Sequence, residues 1–479
     1  MGFAIACSII IPMIGAMGIY VTRSKPNGPA ISSVVAAIAL VASVIHLMAY
    51  GARDVVDVVS FFPGISVSFF CDPLSLIFAM VASSLWGITV LYSVGYLNGA
   101  HEKNQPRFFA CVAIALGATM GVAFSANLLT LYIFYEMLSL STYALVGHHQ
   151  NDEARVGARK YLIYLFGGSI GLALPAMIAV YALTGTLSFS YAGILPEVTP
   201  FPVLVVLMIM FLYGFAKAGL MPFHAWLPGA MVAPTPVSSL LHAVAVVKVG
   251  VFSIVRVITG IFGYDLINQV NLSQVIVYIA AFTVIVASLM ALYQDSLKRR
   301  LAFSTIGQLA YIIMGVGLAT PMAFVGGVLH IVMHALGKIT LFFCAGAIYV
   351  ATKKKYVSQL DGIGRQMPWT MGAFFIGSLS VIGLPPTGGF ISKWFMVNGA
   401  LEAGFPVIFT VYLISSFLNA CYFLPIVYRA FFKNPATMDD VAERPLLCVV
   451  PPVITAAMSV VLFVGAPFII RLIQGIYYG

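Results

Sequence analysis

Four lysines and one glutamate stand inside long apolar runs of this sequence: Lys217, Lys248, Lys338, Lys393 and Glu136. Three histidines accompany them. His242 precedes Lys248 by six residues, and His330, His334 and Lys338 follow one another at i, i+4 and i+8 in GGVLHIVMHALGKITLFF. That spacing puts all three on one face of a helix. A desolvated lysine can release its proton, and histidine exchanges one near neutrality. Alternating along apolar helices, the two residue types are suited to passing protons. Hard cations want several oxygen ligands, and one glutamate among four lysines offers too few. Glu136 is expected as the counter-charge of Lys217, which keeps its proton while the two are paired.

Such residues need a scaffold that buries them. The chain has 479 residues, of which 61% are hydrophobic and only 8% charged, with a mean hydropathy of +1.03. Soluble domains carry about a quarter charged residues, so there is too little polar surface here for a water-soluble enzyme. The expected class is an all-α integral membrane protein surrounded by the lipid bilayer. A spanning helix takes about 20 apolar residues, and fourteen segments qualify, starting near residues 3, 30, 73, 108, 127, 161, 203, 236, 273, 301, 322, 370, 405 and 446. No connection between them is long enough for a soluble domain. The first segment lacks a basic stretch before it and reads as a retained helix, not a cleaved signal.

The net charge of +9 is largely a matter of orientation, and no nucleic-acid partner is expected from it. Connections after odd-numbered helices hold Arg23, Lys25, Lys103, Arg107, Arg155, Arg159, Lys160, Lys298, Arg299, Arg300, Lys353, Lys354, Lys355, Arg365, Arg429, Lys433 and Arg444. Connections after even-numbered helices hold Arg53, with Arg256 and Arg471 near helix ends. Loop lysines and arginines stay on the cytoplasmic side. Both termini are therefore expected on the non-cytoplasmic side of a cell inner (plasma) membrane. The six cysteines show neither a CxxC nor any metal-ligand spacing. No metal, iron–sulfur cluster or nucleotide cofactor is expected in this chain, and no catalytic centre.

Two helices must be interrupted. Helix 7 contains Lys217 five residues before Pro222, and helix 12 packs Gly383, Pro385, Pro386, Gly388 and Gly389 just before Lys393. Proline removes a backbone donor and clashes one turn back. A lysine before the break in one half and after it in the other suggests an inverted repeat, with interrupted helices at matching places marking a transport path. The expected organisation is helices 1–3 over residues 1–107, helices 4–8 over 108–260, helices 9–13 over 261–432 and helix 14 over 433–479.

The run KAGLMPFHAWLPGAMVAPTPVSSLLHAVAVVKVGVF (217–252) resembles the signature of the antiporter-like subunits shared by respiratory complex I, Mrp-type cation/proton antiporters and energy-converting membrane-bound hydrogenases. YEMLSLSTYALVG (135–147), SLKRRLAFSTIGQLAYIIMG (296–315), HIVMHALGKITLFFCAG (330–346) and GLPPTGGFISKW (383–394) extend the likeness. The resemblance implies fourteen helices with two inverted five-helix repeats (helices 4–8 and helices 9–13). It also implies partner membrane subunits, and a proton path through Glu136, Lys217, Lys248, His330, His334, Lys338 and Lys393. A lysine at position 393 argues against the subtype that carries glutamate there. The short ending RLIQGIYYG resembles the smaller members, such as the Mrp D-type subunit. Redox chemistry, where the parent complex performs it, is expected in partner subunits. Sodium exchange in a Mrp-type assembly is the alternative reading.

Overall fold

A computed structural model of the chain describes residues 2–25, 27–50, 55–434 and 442–477, so Arg53 and both terminal residues lie outside the described residues. Helix occupies each of the fourteen expected segments. In chain order these are α1 (Gly2–Val21), α2 (Gly28–Tyr50), α3 (Pro73–Gly99), α4 (Gln105–Ala123), α5 (Leu128–Val146) and α6 (Asp152–Thr184). There follow α7a (Phe201–Gly214) and α7b (Trp226–Gly229), α8 (Thr235–Phe262), α9 (Ser273–Tyr293), α10 (Leu297–Gly317) and α11 (Pro321–Thr352). The last are α12a (Pro368–Ile382) and α12b (Gly388–Glu402), α13 (Pro406–Phe432) and α14 (Leu446–Tyr477). Among the described residues, 12 continuous helices are long and apolar enough to cross a membrane. The expected seventh and twelfth helices are each split in two.

Local sequence explains where several helices begin. Asp72 accepts a hydrogen bond from the Ser75 amide (2.7 Å), Asn127 from Thr130 (2.8 Å) and Asn151 from Ala154 (2.8 Å). Each supplies an acceptor to amides that the first helical turn leaves unpaired. The all-α expectation needs one addition, a hairpin of β1 (Val56–Phe62) and β2 (Ile65–Phe69) between α2 and α3. Its turn contains Gly64 at φ +74°, where a Cβ would also meet the Gly185 carbonyl oxygen at 2.1 Å. Only glycine fits both demands.

The core is centred on two helices. Every residue of α8, and residues 323–348 of α11, are buried. These two elements carry His242, Lys248, His330, His334 and Lys338. By contrast α1, α2 and α6 turn apolar faces outward through Ile10, Ile14, Ile31, Ile38, Ile163 and Ile178. That is the pattern of helices whose outer side meets hydrocarbon.

The connections sort into two faces. After odd-numbered helices, an Arg107 Nη donates to the His148 carbonyl (2.7 Å), and His149 Nε2 meets Glu102 Oε1 (3.1 Å). On the same face Lys298 Nζ donates to the Ala233 carbonyl (2.6 Å), Leu297 N to Lys355 O (3.0 Å) and Arg429 Nε to Asp361 Oδ1 (2.6 Å). After even-numbered helices, Asn127 Nδ2 donates to Ser66 O in the hairpin (2.8 Å), Phe189 N to Ala126 O (3.0 Å) and Ser190 N to Gly260 O (3.0 Å). Asn268 Nδ2 reaches Ala319 O (3.3 Å), and Thr320 Oγ1 reaches Gly399 O (3.4 Å). The basic excess lies on the odd-numbered set. Arg107, Arg155, Arg159, Lys160, Lys298 to Arg300 and Arg429 sit on the turns of α4, α6, α10 and α13 toward this face and not in loops.

This arrangement predicts opposite accessibility for cysteines placed at exposed Lys353 and Val58. A membrane-impermeant thiol reagent added to one side of sealed vesicles should label one of them above the background of native cysteines, and not the other. Labelling of both from one side would contradict the two-face assignment.

Candidate functional site

The break in the seventh helix begins earlier than its proline suggests. Regular helix ends at Gly214, and Lys217 lies in a 3₁₀ turn, Ala216–Ala218, inside the break. It does not stand on a helix ahead of the break, as the sequence led one to expect. Gly219 follows at φ +70°, so the chain turns before Pro222 is reached. The freed backbone groups find other partners. The Lys217 amide donates to Tyr135 Oη (3.1 Å), Trp226 Nε1 donates to Ala216 O (3.0 Å) and the Met221 amide to Thr283 Oγ1 (3.2 Å). Non-helical backbone at membrane depth is tolerable only when satisfied in this way.

The Lys217 ammonium donates to Tyr135 O and Ser139 Oγ, both at 2.7 Å, and sits 3.0 Å from the centre of the Tyr135 ring. The expected ion pair with Glu136 is absent. Both Glu136 carboxylate oxygens are buried without a protein partner. The reason is helical geometry: Tyr135 and Ser139 are four residues apart and share the face of α5 that meets the break, while Glu136 is turned 100° away from Tyr135.

Lys248 makes the central contact. Its Nζ lies 2.7 Å from His334 Nδ1, with both side chains buried. One proton must occupy the space between two such nitrogens, and either can hold it. The His334 ring stacks on His330 at 5.7 Å. His330 in turn contacts Ser392 Oγ through Nδ1 (2.8 Å) and Gln308 Oε1 through Nε2 (3.0 Å). The Gln308 carbonyl oxygen can only accept, so Nε2 carries a ring proton, and the Ser392 hydroxyl that meets Nδ1 also donates to Gly389 O (3.0 Å).

Lys393 comes next along this series, one residue beyond Ser392. Its ammonium donates to Val381 O (2.8 Å), Ile382 O (3.1 Å) and Ser416 Oγ (3.3 Å), and lies 4.5 Å from the Tyr311 ring centre. The two carbonyls are the last of α12a, so the lysine sits at the negative end of a half-helix dipole. Close approach depends on Gly389, where a Cβ would meet Ser380 O at 1.9 Å. Lys338 points elsewhere, donating to Leu301 O of α10 (3.2 Å).

His242 stands apart from this chain of contacts. It occupies a π-turn, Leu240–Val244, and stacks on Phe342 at 5.3 Å with both ring nitrogens unpartnered. A buried polar atom left unpaired costs about 1–3 kcal/mol, so Glu136, His242 and His334 Nε2 are positions that call for water. On the odd-loop face a cavity of about 450 Å³ opens between Glu102, His149, Thr235, Lys298, Lys354 and Tyr356. Thr235, Ser238 and His242, at i, i+3 and i+7, share the side of α8 below it.

Helix-forming sequence between residues 125 and 419, well over half of the chain, matches the family model described as NADH:quinone oxidoreductase/Mrp antiporter, TM. The chain belongs to this family. Residues 62–109 match a second model, the N-terminus of chain 5 of NADH-ubiquinone oxidoreductase (complex I). The N-type subunit of the NADH-quinone oxidoreductase of Desulforudis audaxviator is 36% identical over 383 residues, covering 78% of this chain and 74% of the relative. The A-type subunit of a Na+/H+ antiporter from Alkalihalophilus pseudofirmus is 33% identical over 431 residues, covering 83% of this chain. The chain spans about half (52%) of that longer relative. Two solved assemblies share the family fold: an archaeal membrane-bound sulfane sulfur reductase (TM-score 0.87, 22% identity, 99% and 97% coverage) and the Mrp complex of Dietzia sp. (TM-score 0.85, 21% identity, 100% and 97%).

Within this family member, sequence reasoning missed the uncharged partners Tyr135, Ser139, Gln308, Ser392 and Ser416. Tyr135 and Ser139 flank Glu136 at a spacing of four, a signal that was available. It also placed Arg256 near a helix end. That placement holds, in the last turn of the regular stretch Val246–Val257, but the residue is also 2% exposed and bonded to Asp72, which was not foreseen. The apolar run VFSIVRVITGIF around it was the available sign.

The geometry makes a glycine test possible. A Cβ on Gly250 of α8 would meet Ala218 N at 2.3 Å and Lys217 C at 2.5 Å, both backbone atoms, whereas one on Gly167 would meet nothing within 4 Å. Gly250→Ala should destabilise the protein by about 1–3 kcal/mol or more, as overpacking does, and Gly167→Ala should not. Thermal unfolding of the two variants in detergent measures the difference.

Proposed function

We propose that this chain is a proton-translocating, antiporter-like subunit of a multisubunit membrane complex, moving protons through Glu136, Lys217, His242, Lys248, His330, His334, Lys338 and Lys393. The contact between Lys248 Nζ and His334 Nδ1, at 2.7 Å, carries the reading. Two bases share one proton there, and from them His330, Ser392 and Lys393 continue toward the second helix break. Family membership supports it, since the matched relatives are subunits of an NADH-quinone oxidoreductase and of Na+/H+ antiporters. Water admitted from the odd-loop cavity would serve His242 by way of Thr235 and Ser238. The driving reaction, redox chemistry or ion exchange, belongs to partner subunits.

Helices 4–8 and 9–13 form the two inverted repeats in this reading, each built around one broken helix. The odd-loop face is cytoplasmic because it carries the basic excess, which leaves both termini on the non-cytoplasmic side of the plasma membrane. A second reading, exchange of sodium for protons in a Mrp-type antiporter, is favoured by the match to the Na+/H+ antiporter relative. It uses the same relay and draws the oxygen ligands for sodium from other subunits.

Lys217→Ala and Lys248→Ala should each abolish coupled ion movement in vesicles while the complex still assembles. Normal pumping by the assembled Lys248→Ala complex would refute the relay. Proton flux measured with and without sodium then separates the two readings, the second requiring sodium dependence.

A further inference from the structure

Arg256 lies eight residues beyond Lys248 on α8, about 12 Å along the axis at 1.5 Å per residue. The stretch that holds both, Val246–Val257, is regular α-helix. A π-turn bounds it at each end, Leu240–Val244 before and Ile258–Phe262 after, with Ala245 at φ −100°, ψ −79° at the first junction. Each π-turn departs from the regular ladder of hydrogen bonds, so these 12 residues form a rod set apart from the rest of the helix. Side-chain polar bonds tie the rod to other elements near both ends: Lys248 to His334, and Arg256 to Asp72.

The second tie is the more rigid. Arg256 Nη1 donates to Asp72 Oδ2 (2.6 Å) and Nη2 to Asp72 Oδ1 (2.7 Å), while Nη2 also reaches Ser75 Oγ (2.8 Å). The Phe70 and Phe252 rings flank the guanidinium at 4.8 and 5.1 Å. Asp72 is held in turn, capping α3 through the Ser75 amide and accepting from the Tyr191 hydroxyl. Burial raises the Asp72 carboxyl, but the Arg256 charge together with the hydrogen bonds from Arg256, Tyr191 and Ser75 outweighs it and holds the group at about 2. The pair is therefore charged at every physiological pH. Among the described residues it is the only ion pair with both side chains more than nine-tenths buried.

A buried ion pair is seldom more stabilising than well-packed apolar residues. Its distinctive property is direction, because a two-pronged contact fixes orientation as well as distance. Direction matters here. At a helix's outer radius of roughly 6 Å, a rotation of about 10° moves a side-chain tip by roughly 1 Å. That would stretch the 2.7 Å Lys248–His334 contact beyond hydrogen-bonding range.

We propose that Asp72 and Arg256 are positioning residues for proton transfer: the pair sets the rotation and depth of the α8 rod and so keeps the Lys248 ammonium on the His334 ring. The proposal rests on the proton-relay reading above. It gives the even-loop end of α8 a role in the chemistry of residues two turns away, without contact with the proton path.

The test uses the native assembly containing this chain, purified and reconstituted into vesicles, with proton flux followed by a pH-sensitive dye. The double variant Asp72→Leu/Arg256→Met removes both charges together, so no buried charge is left alone. Assembly should be retained, while flux per assembled complex falls by about tenfold or more, as misplacement of reacting groups by about 1 Å can cause, and its pH profile shifts. Flux and profile equal to the unmodified complex would overturn the proposal and leave the pair a packing device. Should the double variant not assemble, Asp72→Glu decides, since it keeps the charge and moves the anchor by one methylene. A shifted pH profile supports positioning, and an unchanged one overturns it. Lys248→Ala is run alongside. Normal flux in that variant would sink the relay reading itself, whatever the Asp72 variants do.

Discussion

Inside a bilayer there is no water to rescue an unpaired amide or carbonyl, and nearly everything in this protein's interior follows from that constraint. Among the described residues, twelve helices long and apolar enough to span a membrane satisfy it without interruption. The two that do not are interrupted where side chains from other helices can meet the loose groups, as Tyr135, Trp226 and Thr283 do around Lys217. At the second break the relation is reversed, and the Lys393 ammonium answers the carbonyls that end α12a. Breaks and charges belong together because each supplies what the other lacks.

Between the breaks, α8 is buried throughout and packs through its first turns on α11, which is buried over residues 323–348. Basic groups there outnumber acids, so Coulomb repulsion makes the proton occupancy of one depend on its neighbours. Such coupling suits a relay better than a binding cage. The contacts also divide the path unevenly. From Lys248 through His334 and His330 to Ser392 and Lys393 the side chains form one series, whereas Lys217 reaches α8 only where Gly250 lets their backbones touch. Glu136 and His242 have no polar partner from the protein, so the first half of the proposed path would depend on water to a degree that the second would not.

The two ends of α8 are also unlike. One opens toward the basic face through a cavity above Thr235, and the other is closed by the Asp72–Arg256 cluster and the stacked rings of Phe78 and Phe252 (4.6 Å). A buried helix carrying a titratable lysine is thus open to a cavity at one end and anchored at the other.

Much of this was legible in the chain itself. Hydropathy and span length identify a membrane protein and the fourteen helical segments, because both are local properties that need no knowledge of neighbours. Prolines and glycines locate the interrupted helices for the same reason, although the unwinding begins at Phe215 and not at Pro222. The intramembrane lysines and histidines stand out because their burial is costly wherever they go. What only the tertiary structure decided is partnership. Glu136 and Lys217 look like an ion pair in sequence, yet the faces of α5 direct Tyr135 and Ser139 to the lysine instead. Arg256 is legible as a residue near a helix end, but its partner Asp72, 184 positions away, is not. A hydrogen bond depends on direction and on distances of a few ångströms, and those are set by how helices pack and rotate against one another, not by the order of residues along any one of them.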